Sequence, residues 1–184
     1  MHNAQRTTRR GFTLIELIII VALIGILIAI ALPVYSGAQG KADTHRILSA
    51  LSGSITQGRG IAMNDNTDVI LCSSNDGASC SGSDQWHHGW IVAVDRDGDN
   101  RIGPGESISQ YVPPFDGRAH MVTSGGRTLL QFQPYGSNAG SNVTFTLCDR
   151  RGEEGASAYV LNNEGKFHQS TPREPGIARA CSGL

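Results

Sequence analysis

The 184-residue sequence predicts an α+β chain: a long N-terminal helix packed on an antiparallel β-sheet head. Three observations predict it. A small-or-apolar run from Leu17 to Leu32 follows a short basic stretch. Apolar residues then recur at helical spacing from Ile47 to Ala62. Beyond them, short apolar segments alternate with stretches rich in Gly, Asn and Asp, which mark strands and turns.

Residues 1–11 are polar and basic, ending Arg9-Arg10-Gly11. From Phe12 to Leu32, at about 1.5 Å per residue, a helix is long enough to cross a hydrocarbon core of about 30 Å. A cleavable secretory signal has a shorter apolar core of about 7–15 residues. Arginines cluster before the run and are nearly absent just after it, which predicts a cytoplasmic N-terminus and a translocated remainder. Glu16 is the odd residue. A carboxylate at mid-membrane costs about 2.5–3.5 kcal/mol, less near an interface, and so asks for a partner. A cut between Gly11 and Phe12 would place a new α-amine four residues before it, about one helical turn away. That amine and Glu16 could pair within a chain or between neighbouring subunits, since burying either charge alone is unfavourable.

Arg9-Arg10-Gly11-Phe12-Thr13-Leu14-Ile15-Glu16-Leu17 resembles the class III signal of type IV prepilins and type II secretion pseudopilins. The resemblance implies that a prepilin peptidase cuts after Gly11, that the Phe12 amine is N-methylated, and that Glu16 recognises a neighbour's N-terminus. It implies a single pass through the inner membrane with the head in the periplasm, then residence in a pilus or pseudopilus. Loss of Arg6, Arg9 and Arg10 would move the net charge from -1 to about -4, which stays mild.

Pro33 closes the apolar run and predicts a helix break or kink. Ile47, Leu48, Leu51, Ile55 and Ala62, with Lys41, Asp43 and Arg46 before them and Gln57 among them, predict an amphipathic helix against a sheet. Strands are expected at 69–72, 89–95, 128–132, 143–148 and 158–161. The expected organisation is a leader at 1–11, a transmembrane and filament-core helix at 12–32, an amphipathic helix at 33–62 and a β-rich head at 63–184. Trp86, Gly89 to Val92, the Asp95–Asp99 loop, Gly136, Thr144 to Cys148 and Gly165 together resemble the head of the FimU/FimT/GspH group of minor pilins and pseudopilins.

Cys72, Cys80, Cys148 and Cys181 all follow the apolar segment, as expected of disulfides formed in an oxidising compartment. Three pairings are open. Cys72–Cys80, closing a short Ser/Gly/Asn loop, and Cys148–Cys181, tying down the tail, are favoured. No pair has the CxxC spacing of a zinc site.

Asp95, Asp97, Asp99 and Glu106 match positions one, three, five and twelve of a calcium loop, although Asn100 stands where the turn glycine belongs. A solvated hairpin loop is the competing reading, and no cofactor is otherwise expected. His87 and His88 are read as strand neighbours on opposite faces, unable to share a metal, and Trp86 and Trp90 as packing residues. Gly165-Lys166-Phe167-His168 lies where FimT-like relatives carry a basic Gly-Arg-x-Arg DNA-binding motif. One arginine has become lysine and the other histidine, and the tail is balanced in charge, so nucleic acid is disfavoured as a partner. No nucleophile–base–acid pattern suggests an enzyme or a small-molecule substrate. The expected function is a minor pilin that primes pilus assembly and joins the tip complex to the shaft, with other major and minor pilins as partners. The same features suit a minor pseudopilin of type II secretion, and a DNA-binding pilin is a third reading.

Overall fold

The computed structural model describes residues 11–140 and 142–184, with the backbone alone for 32–34 and 36. The leader expected at 1–11 lies, apart from Gly11, outside the described residues. The chain divides into two compact units, 1–36 and 37–184.

The first helix, α1, spans Leu14–Asp65. Its Leu14–Ala31 segment has a mean hydropathy of 3.2 and buries none of its residues, so it is long and apolar enough to cross a membrane. Of the kink or local break expected at Pro33, the break is not found: the backbone is helical through that position. Proline removes only its own N–H, and the turns on either side keep theirs. The helix ends three residues beyond the expected boundary. Asn66 takes a positive φ of 50°, and the Thr67 N–H donates to the Ala62 carbonyl at 3.2 Å, closing a left-handed C-cap.

The second unit contains β1 (Asp68–Ser73), β2 (Trp90–Asp95), β3 (Ile108–Val112), β4 (Ala119–Thr123), β5 (Leu129–Phe132), β6 (Val143–Asp149), β7 (Ser157–Leu161), β8 (Phe167–Ser170) and α2 (Glu174–Cys181). They form two four-stranded antiparallel sheets, ordered β3-β2-β1-β5 and β4-β6-β7-β8. The stripe Ile47, Leu51, Ile55 and Ala62 faces one core made by both sheets, including Val69, Leu71, Trp90, Val92, Met121, Phe132, Phe145 and Leu147. Each such side chain contributes about 1.5–3 kcal/mol by leaving water. Gly58 continues the stripe because the Phe132 ring lies too close for a side chain: an added Cβ would sit 3.1 Å from it.

Disulfides join Cys72 to Cys80 and Cys148 to Cys181. The second holds α2 on the outer face of β6, where Ala180 packs with Val122 and Cys148. Arg179 adds an ion pair to Asp84 at 2.5 Å and a hydrogen bond to the Thr123 carbonyl at 2.7 Å. The strand reading of Trp86–His88 is corrected: these residues form a 3₁₀ turn, with Trp86 and His87 buried and His88 exposed.

Candidate functional site

The N-terminal segment presents the residues that the sequence singled out. Gly11 and Phe12 precede α1 and are exposed, Phe12 at 79%. Thr13 is the helix N-cap and Glu16 lies in the first turn. The Thr13 hydroxyl accepts from the Glu16 N–H at 3.3 Å, and a Glu16 carboxylate oxygen accepts from both the Thr13 N–H and the Thr13 hydroxyl at 3.1 Å. This reciprocal capping box satisfies two helix-end donors and gives the carboxylate a local partner. Thr13 is the residue that sequence reasoning passed over. Its signal was present, because Thr-x-x-Glu before an apolar run is a helix-start pattern.

In the head, α1 is pinned by polar contacts as well as by its apolar stripe. In the first turns of α1 within the head, the Thr44 hydroxyl donates to the buried Asp149 at 2.7 Å, and Arg151 holds the same carboxylate through Nε at 2.9 Å and Nη2 at 2.6 Å. Gly40 faces this group, and an added Cβ would lie 2.7 Å from an Asp149 oxygen. Midway, Trp90 Nε1 donates to the Ser54 hydroxyl at 2.9 Å, which donates to the Gln110 side-chain carbonyl at 2.8 Å. Near its end, Arg59 reaches the carbonyls of Gly136 and Gly165 at 2.9 and 2.8 Å. Three sites along one helix face thus bind it to both sheets and to two turns.

The acidic loop brings together part of its expected set. Asp95, Asp97 and Asp99 can each aim one oxygen so that all lie within 4.8 Å. Glu106 does not join them. Its two oxygens accept from the N–H groups of Arg96 at 2.7 Å and Gly103 at 2.6 Å, and these bonds, the Gly103 one foremost, hold its carboxyl below the usual range. Asp95 accepts from Gly98 and Asn100, and Asn100 takes the positive φ of 61° that position six requires. Burial pushes the Asp95 carboxyl up despite those two bonds, and the charges of Glu106 and Asp97 add to the rise. A calcium ion takes six to eight oxygens, often with a bidentate twelfth residue. Here the twelfth residue already closes the loop.

Two of the tail's arginines are held in ion pairs. Arg151 is committed to Asp149 and Arg179 to Asp84. Gly165 has a structural cause: it turns between β7 and β8 with a φ of 77°, against the Arg59 guanidinium.

A family profile described as type II transport protein GspH matches residues 48–165, and one described as prokaryotic N-terminal methylation motif matches residues 6–32. The chain is 40% identical over 74 residues to fimbrial protein Q of Moraxella bovis, covering 40% of this chain and 45% of that one. It is 37% identical over 77 residues to the type IV major pilin protein PilE of Neisseria gonorrhoeae, covering 39% and 46%. The chain therefore spans about half the length of these curated relatives. Two crystal structures of the type IV minor pilin FimU of Pseudomonas aeruginosa share the fold, with TM-scores of 0.51 and 0.55. Identity is 14% and 12%, over 67% and 73% of this chain and 89% and 90% of theirs.

Proposed function

This chain belongs to the GspH family of type II transport proteins, and we propose that it is a minor type IV pilin that primes pilus assembly and joins the tip complex to the shaft. The observation that carries the reading is the apolar segment Leu14–Ala31 of α1, which is unburied among the described residues and whose one carboxylate, Glu16, sits in the first turn. Such a helix needs a lipid or protein environment, and membrane followed by filament core supplies both in turn.

In this account a prepilin peptidase cuts after Gly11 and the Phe12 amine is methylated. Glu16 leaves the Thr13 cap to pair with a neighbouring subunit's amine. Before assembly the chain spans the inner membrane once, with the head in the periplasm, and it then joins other pilins through α1. The role is structural, without catalysis, and a tail balanced in charge, with Arg151 and Arg179 held in ion pairs, gives DNA little to hold.

The test is genetic and biochemical. Deleting the gene should sharply reduce surface pili. The wild-type chain should restore them and co-purify with sheared filaments, whereas Glu16→Ala should reach the membrane and fail to enter filaments. The family profile favours one second reading, a minor pseudopilin. Normal piliation with lost protein secretion in the deletion strain would select it and reject the pilus reading.

A further inference from the structure

β4 is an edge strand of its sheet, so its outward N–H groups need partners from elsewhere. Residues 84–87 supply them. The Asp84 carbonyl accepts from the Thr123 N–H at 3.0 Å. Two residues back along the same edge, the Met121 N–H donates to Nδ1 of His87 at 3.2 Å. That nitrogen also lies 3.1 Å from the Met121 carbonyl oxygen.

One ring nitrogen cannot serve both groups at once. With the imidazole neutral and its proton on Nε2, Nδ1 accepts from the Met121 N–H. Once protonated, Nδ1 can only donate, so it turns to the Met121 carbonyl and leaves that N–H unpaired at a fully buried residue. The charge would also be badly placed. His87 is 6% exposed, its ring stacks on His120 of β4 at 4.2 Å and 18°, and His88 of its own turn lies 4.2 Å away. Asp84, the carboxylate three residues before it, is already tied to Arg179 of α2.

We propose that His87 is a proton-operated latch: neutral, it closes the β4 edge, and protonated, it releases Met121 together with the turn at 86–88. The consequence reaches the surface beside α1. The His87 carbonyl accepts from the Phe115 N–H at 3.0 Å, and Phe115 stacks on Trp90 at 5.6 Å. Phe115, Val112 and Pro113 form one wall of a groove of about 820 Å³, whose other wall is α1 at Ala42, His45 and Ser49. Opening the latch frees that wall.

Burial pulls the His87 imidazole down from its ordinary 6.5 to about 4; the Met121 carbonyl opposes this, and His120 and His88 add to it. A value lowered in the folded state means that the unfolded or opened form binds the extra proton. The latch is intact above pH 6.5 and is lost as pH falls toward 4, the opening constant rising by up to roughly tenfold per pH unit.

The test is hydrogen exchange on the full chain in detergent micelles, read as protection factors that correct for the intrinsic pH dependence of exchange. Protection at Met121 and Phe115 should fall between pH 6.5 and 4 while the β1 amides stay protected. His87→Gln, whose side-chain oxygen can accept from Met121 without titrating, should remove the pH dependence. His120→Gln should move the midpoint from about 4 toward 6.5, and a proton NMR titration of the His87 ring reads that midpoint even if His87→Gln fails to fold. Constant Met121 protection across this range, loss in step with β1, or an unchanged profile in His87→Gln would each overturn the latch.

Discussion

Arg59 donates through Nη1 to the Gly165 carbonyl at 2.8 Å and at the same time through Nε to the Gly136 carbonyl at 2.9 Å. One helical side chain therefore fixes two turns that are far apart in sequence. Gly165 has a φ of 77°, and an added Cβ would lie 2.7 Å from Arg59 Nε and 2.8 Å from the Gly136 oxygen. Gly165→Ala should cost about 2–4 kcal/mol, summing left-handed strain and overpacking. Arg59→Ala should cost a similar amount, about 2–4 kcal/mol, because two buried carbonyls lose charged donors. Denaturant unfolding in detergent measures both, and the double variant should cost less than the sum because the two residues share one contact.

Two glycines on the same helix should respond in opposite directions. Gly53 has nothing within 4 Å of an added Cβ, so Gly53→Ala should gain about 0.5–1 kcal/mol from helix propensity. Gly58 meets the Phe132 ring at 3.1 Å, so Gly58→Ala should lose about 1 kcal/mol or more from overpacking. Equal shifts in unfolding midpoint for the two variants would contradict the packing of α1 on β5.

The Asp149 cluster predicts an acid limit of its own. Burial alone would raise this carboxyl, but Arg151 and the Thr44 hydroxyl outweigh it and hold it below its ordinary 3.8. A carboxyl lowered by folding contributes stability that is present above pH 3.8 and is lost as pH falls through the folded value. Asp149→Asn should flatten this part of the stability profile, and Thr44→Val should cost about 1 kcal/mol at neutral pH. Urea unfolding as a function of pH checks both.

The acidic loop should need no calcium. The Gly98, Asn100, Arg96 and Gly103 N–H groups already close it onto Asp95 and Glu106. The unfolding temperature in EDTA and in millimolar calcium should agree to within about 1 °C. A rise of several degrees with calcium, lost in Asp99→Asn, would show that the loop is an ion site.

What could be read in the sequence was what short-range pattern encodes. The apolar run, Glu16 and the Ile47–Ala62 stripe were legible because membrane length and helical period need no partner to be recognised. β1, β2, β5, β6 and β7 carried apolar segments that announce strands. β3 and β8 are edge strands with mostly exposed or half-buried residues, so their pairing is imposed by β2 and β7 rather than by their own apolarity. β4, with a histidine among its five residues, also escaped notice. α2 contains Pro175 and Gly176 and spans only eight residues; its hold comes from Cys148–Cys181, Arg179 and the close fit of Gly176 on Thr146, all long-range. The His87–His120 stack was hidden for the same reason, because a turn and a strand 33 positions apart build it.

If Glu16 serves a processed amine at Phe12, mass spectrometry of the mature N-terminal peptide reads that amine itself. The peptide should begin at Phe12 and carry one methyl group on its amine. A peptide that retains residues 1–11, or one that starts at any other position, would contradict it.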